Sequence, residues 1–163
     1  MTATADDVRA AVSDVADPEI PVLTIADLGI LRQVAVDDGR VTVTITPTYS
    51  GCPAMEVIRR DIESTLAGEG FRDVTVQTSL SPAWTTDWMS AEGRRKLEEF
   101  GIAPPTGAAR AASSGPVLLS LSVRCPHCGS TETRELSRFG STACKALYRC
   151  DACREPFDHF KAI

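Results

Sequence analysis

The sequence predicts an α+β (α/β) chain in two parts, a small α-β-β-α-β-α domain and a short tail held by paired cysteines. Three observations carry that reading. Segments of helical spacing alternate with segments of period two through residues 4–100. A stretch rich in Pro, Gly, Ala and Ser then shows no apolar period. Beyond it stand Cys125-Pro126-His127-Cys128 and Cys150-Asp151-Ala152-Cys153. The expected division is a domain over 1–102, a flexible linker over 103–116 and a cysteine-bearing tail over 117–163.

A chain of 163 residues with 43% hydrophobic content can hold one ordinary domain and one very small one. The net charge is −5, made of −7 over residues 1–116 and +2 over 117–163. That balance argues against a general nucleic-acid binder. The first residues, Met1-Thr2-Ala3-Thr4-Ala5-Asp6-Asp7, have neither a basic region nor an apolar run, so no signal peptide is expected. The longest apolar stretch, Val117 to Val123, is too short to span a bilayer. The expected location is the cytoplasm, with no membrane partner. In a reducing compartment six cysteines point to metal rather than disulfides.

Thr4, with Asp7 three residues on, reads as an N-cap and an acidic first turn. Val8, Ala11, Val12 and Val15 form the apolar face of that first helix, and Pro18 stops it. Asp17-Pro18-Glu19-Ile20-Pro21 sets two carboxylates on an extended or turning path, which by itself reads as a solvated turn. Asp27-Leu28-Gly29 is a second turn. Ile30 to Val36 and Arg40 to Thr46 are strands of a hairpin turned by Asp37-Asp38-Gly39. Pro53 to Ala67 is a helix, with Met55, Ile58, Ile62 and Leu66 at helical spacing and Gly68 and Gly70 closing it. Phe71 to Ser79 is a third strand. Trp84 and Trp88 share a loop and read as core filler or, less readily, as a docking surface. Ser90 caps a last helix that ends at Gly101.

The segment Thr46-Pro47-Thr48-Tyr49-Ser50-Gly51-Cys52-Pro53 joins strand to helix. Pro53 suits the first helical turn. It thereby puts the Cys52 sulfur at or beside a helix N-terminus, where free N–H groups and the dipole favour a thiolate. A thiolate attacks electrophiles and binds soft metals. Cys52 reads equally as a small buried hydrophobe.

The strongest signal is the tail. Two C-x-x-C turns separated by 21 residues let Cys125, Cys128, Cys150 and Cys153 converge on one metal, with a hairpin between. Val117 to Arg124 and Lys145 to Arg149 are the expected strands entering the knuckles. The pattern predicts a zinc ribbon with structural Zn²⁺, because so short a piece cannot hold itself by core burial. A redox pair or an iron site is the competing reading. Cys144 is a fifth sulfur: buried filler, a substitute ligand or a ligand of a second metal. His127 and His159 are stand-in ligands, with His127 expected to point outward.

Conventional enzyme chemistry finds little support. Both histidines lie in the tail, so Cys52 has no obvious base. No Glu-x-x-His, phosphate loop or Gly-x-Gly-x-x-Gly fingerprint occurs. The residues suit a thiol and metal-handling protein better.

Asp17-Pro18-Glu19-Ile20-Pro21, Asp27-Leu28-Gly29, Gly51-Cys52-Pro53 and Ser81-Pro82-Ala83-Trp84 together resemble the SufT-like iron–sulfur cluster assembly domain. The stretch from Trp84 to Pro105 and the ribbon ending Lys145-Ala146-Leu147-Tyr148-Arg149-Cys150 are similar to the PaaD (also PaaJ) branch. The resemblance implies a maturation factor of the phenylacetyl-CoA 1,2-epoxidase system in aerobic phenylacetate breakdown, more readily than an enzyme. It implies epoxidase components as partners, above all the iron–sulfur reductase. It maps the functional thiol onto Cys52, with Asp17 and Glu19 in support, and leaves open whether Cys52 transiently holds iron or an iron–sulfur cluster or only docks a partner. Apart from the resemblance, Cys144 is a further candidate ligand. A stable, non-catalytic oxygenase subunit is the alternative. Edge strands in so small a sheet leave room for a homodimer.

Overall fold

The computed structural model describes residues 4–106 and 122–161, so the expected strand residues 117–121 and most of the expected linker lie outside it. The chain forms two compact units, Met1–Gly93 and Arg94–Ile163.

The first unit is built on a three-stranded sheet of order β1-β2-β3, with β1 Leu31–Asp37, β2 Arg40–Ile45 and β3 Asp73–Thr78. β1 and β2 are antiparallel, with Asp37 opposite Arg40. The two residues between them have positive φ, Asp38 at 47° and Gly39 at 83°. Both central residues of a tight hairpin turn need that conformation, and Asp-Gly meets it at least strain. β2 and β3 are parallel, Val41 opposite Val74 and Val43 opposite Val76. A parallel pair needs a crossover, and α2, Ala54–Gly68, supplies it.

Alternation sorts the sheet faces. Val41, Val43 and Ile45 are fully buried, while Thr42 and Thr44 face the other way. On the buried face lie α1, Ala5–Ser13, through Val8 and Val12, and α2 through Ala54, Ile58, Ile62 and Leu66. Thr4 closes a reciprocal cap with Asp7: its hydroxyl accepts from the Asp7 N–H at 3.2 Å, and the Asp7 carboxylate accepts from the Thr4 N–H at 2.8 Å.

The register of β1 against β2 is broken between Leu31 and Gln33. Arg32 is thereby left out of the ladder. Its guanidinium lies 3.5 Å from the Trp88 ring centre. The second turn seats the tryptophan loop. Trp84 is buried and donates its Nε1–H to the Leu28 carbonyl at 2.7 Å. Gly29 has φ 71°, and a Cβ there would stand 2.4 Å from the Trp88 carbonyl oxygen. Only glycine fits. Trp84 is thus core.

The second unit holds a four-stranded sheet of order β4-β7-β6-β5. Its strands are β4 Ile102–Ala103, β5 Thr133–Ser137, β6 Lys145–Cys150 and β7 Pro156–Phe160. β6 is antiparallel to both β5 and β7, and β4 is parallel to β7. The two units meet in sequence at Gly93 and Arg94, within α3 (Ala91–Glu99), and Ile102 and Ala103 pair with Asp158 and His159. One expectation changes here. The strand expected to run to Arg124 is not found over residues 122–124, which carry no ladder.

Candidate functional site

Two cysteine sites stand out, and they are built differently. In the second unit the sulfurs of Cys125, Cys128, Cys150 and Cys153 all lie within 4.8 Å of one another. Cys125 and Cys153 are 3.8 Å apart, Cys128 and Cys150 3.6 Å. A tetrahedral ion with metal–sulfur bonds of about 2.3 Å requires sulfurs about 3.8 Å apart. The donor set therefore fits one such metal ion.

Both knuckles fold by the same rule. The first cysteine's N–H donates five residues on: Cys125 to the Ser130 carbonyl at 2.9 Å, Cys150 to the Glu155 carbonyl at 3.0 Å. The residue four past that cysteine has positive φ, Gly129 at 77° and Arg154 at 67°. The surrounding core is small: Ala103, Val123, Cys125, Cys150 and Phe157, with Tyr148 against it. The Cys153 amide, aimed at the Cys150 sulfur, draws that thiol down to about 7. On Cys153 the Glu155 amide acts to lower the pKa. Burial and the neighbouring Cys128, Cys150 and Cys125 sulfurs outweigh it and push it up to about 12. Four crowded sulfurs hold few negative charges unaided, and a bound cation is what lets all four ionise.

Cys144 is buried but stands outside this cluster, its sulfur 3.1 Å from the Thr142 hydroxyl. His127 is exposed, as expected of a side chain pointing outward. His159 is buried, with Nδ1 3.2 Å from the Ala103 carbonyl, and burial pushes its pKa down. It ties β4 to β7 instead of ligating.

In the first unit Cys52 is half-buried in the loop between β2 and α2. Gly51 has φ 80°, which turns the chain into Pro53, one residue ahead of the helix. The sequence-predicted acids stand near enough for their charges to act on this thiol. Asp17 is buried on its turn, where its Oδ1 accepts from the Glu19 N–H at 2.7 Å and the Ile20 N–H at 2.9 Å. Burial pushes the Cys52 thiol above its ordinary value. The Ala54 amide and Tyr49 act to lower it, and the charges of Glu19 and Asp17 act to raise it. The net direction is up, which favours the thiol over the thiolate of the two readings: desolvation and the two carboxylates outweigh the N–H at the helix start. Sequence reasoning missed Tyr49, although it stands three residues before Cys52 in the same loop.

A family described as iron–sulfur cluster assembly protein matches residues 5–78, and one described as PaaD zinc beta ribbon domain matches residues 110–161. A protein of Escherichia coli (strain K12), named as a putative subunit of 1,2-phenylacetyl-CoA epoxidase, is 51% identical over 96% of this chain and 92% of its own. The chain belongs to the PaaD family. The two domain matches of this PaaD-family chain fall on the two cysteine sites, one each. An "Fe-S protein maturation auxiliary factor" of Porphyromonas gingivalis is 38% identical over 58% of the chain and 90% of its own. The solved "Domain of Unknown Function DUF59" of Bacillus anthracis has a TM-score of 0.54 at 26% identity, covering 57% of this chain and 90% of its own. No helix among the described residues is long and apolar enough to cross a membrane.

Proposed function

We propose that the chain is an iron–sulfur cluster maturation factor of the phenylacetyl-CoA 1,2-epoxidase system, acting on its iron–sulfur reductase component. The observation that carries this reading is the half-buried Cys52 in the loop ahead of α2, within reach of the charges of Glu19 and Asp17, in the unit that matches the assembly family. Iron, or a cluster, is cargo in this reading. The resting thiol is protonated, because burial and the two carboxylates raise it. An arriving cation reverses the balance: Glu19 and Asp17 attract it, and the Cys52 sulfur gives up its proton to bind it. One sulfur is too few to keep a cluster, so the site suits brief holding.

The four-sulfur site is assigned structural Zn²⁺, held by Cys125, Cys128, Cys150 and Cys153. The metal there closes a ribbon whose core is too small to stand without it.

The test is a strain whose sole copy carries Cys52→Ala. Iron and sulfide per reductase chain are expected to fall about ten-fold or more. A fully loaded reductase contradicts the proposal. The name of the Escherichia coli relative favours a second reading, a stable non-catalytic component of the oxygenase. That reading predicts stoichiometric copurification with the oxygenase and indifference to Cys52→Ala.

A further inference from the structure

We propose that a polar pocket at the C-terminal end of the parallel β2–β3 pair binds a small oxyanion, a carboxylate or a phosphate, through Arg32, Thr44 and Thr46. The inference needs none of the Cys52 chemistry. The pocket has a volume of about 340 Å³, within the range of small-molecule sites. Its place is where open α/β sheets bind ligands, beyond the carboxyl ends of parallel strands. Thr46 directly follows β2 and Ser79 directly follows β3, and both line it.

The donors are set out for an acceptor-rich ligand. Arg32 is the residue that the β1 irregularity leaves out of the ladder, and bulges often re-aim a side chain at a site. Trp88 covers one face of its guanidinium. That stacking orients the group yet leaves its in-plane N–H fork, of which the Gly29 carbonyl takes one at 3.5 Å. The Thr44 hydroxyl accepts from Gln77 Nε2 at 3.0 Å, which leaves its own proton to donate. Thr46 is 2% exposed, so a polar ligand there meets little competing water. Ser79 already donates to the Ser81 carbonyl at 2.9 Å and adds no donor.

The lining contains no carboxylate, so a cation has no charged partner in it. Pro82 is its one apolar residue.

The experiment is an amide NMR titration of the full metal-loaded chain at constant ionic strength, with citrate in one arm and inorganic phosphate in the other. Saturable shifts are expected at Gln33, Thr44 and Thr46 in at least one arm. Citrate alone assigns a carboxylate ligand, phosphate alone a phosphate, and both support the shared oxyanion chemistry. Arg32→Gln should weaken binding about ten-fold. It also removes the stack on Trp88, so the isosteric Thr46→Val is the second variant, expected to weaken binding about three-fold or more. Absence of saturation at these amides in both arms overturns the proposal. So does an unchanged affinity in either folded variant.

Discussion

The ribbon offers four sulfurs within 4.8 Å of one another, whereas the loop ahead of α2 offers one sulfur among carboxylates. The first arrangement is complete as a soft tetrahedral site and stands in place of a core. The second sits on a unit with its own core of Val41, Val43, Ile45, Ile58, Ile62 and Leu66, all fully buried. In the proposed reading one site therefore supports a fold, and the other is supported by one. Permanent and transient metal handling can share a chain when folding depends on only the first.

The sharpest way to break this contrast is Cys150→Ser. Structural zinc in a small domain is worth about 10–16 kcal/mol. The second unit is therefore expected to lose its metal and its dispersed NMR signals, while Met1–Gly93 keeps its own. Retained metal with an ordered β6–β7 pair would refute the dependence. Ile62→Ala makes the opposite cut. It should destabilise the first unit by about 2–5 kcal/mol, seen by urea unfolding through the fluorescence of Trp84 and Trp88, with the ribbon metal unchanged. Metal loss in step with the tryptophan signal would show that the two stabilities are linked.

A smaller effect concerns charge. Since Glu19 and Asp17 help hold the Cys52 pKa up, Glu19→Gln should move its alkylation profile to lower pH. At a given neutral pH the variant then has more thiolate and reacts faster, as peptide mapping of metal-loaded protein can read. An unmoved profile would rule out a Glu19 contribution and leave burial and Asp17 as the causes. The smallest effect compares the two knuckles. Arg154 stands where the first knuckle has Gly129 and carries the left-handed strain, about 1 kcal/mol. Arg154→Gly should slow metal loss to a chelator modestly, and faster loss would contradict that reading.

Legibility followed range. The Asp38-Gly39 hairpin, the Thr4 cap, α2 and the four ribbon cysteines are written in local spacing, and the structure holds each of them. β4 was not readable: two residues have no period, and its partner His159 lies 56 residues beyond Ala103. β5 and β7 are short strands whose pairing, not their pattern, defines them. At Cys52 the sequence placed the sulfur beside a helix start but not the sign of its pKa shift. That sign depends on burial and on a turn brought in from Asp17 and Glu19, both tertiary facts. The bulge that frees Arg32 was likewise invisible in a strand read only by alternation.

The central claim is that the ribbon keeps its metal and Cys52 only lends its sulfur. Zinc, iron and acid-labile sulfide per chain, measured without oxygen after loading with ferrous iron and sulfide, test it in the wild type beside Cys52→Ala. The account predicts about one zinc in both proteins, and iron that the variant fails to hold. Iron bound equally by both, or replacing the zinc, would place the cargo on the ribbon and contradict it.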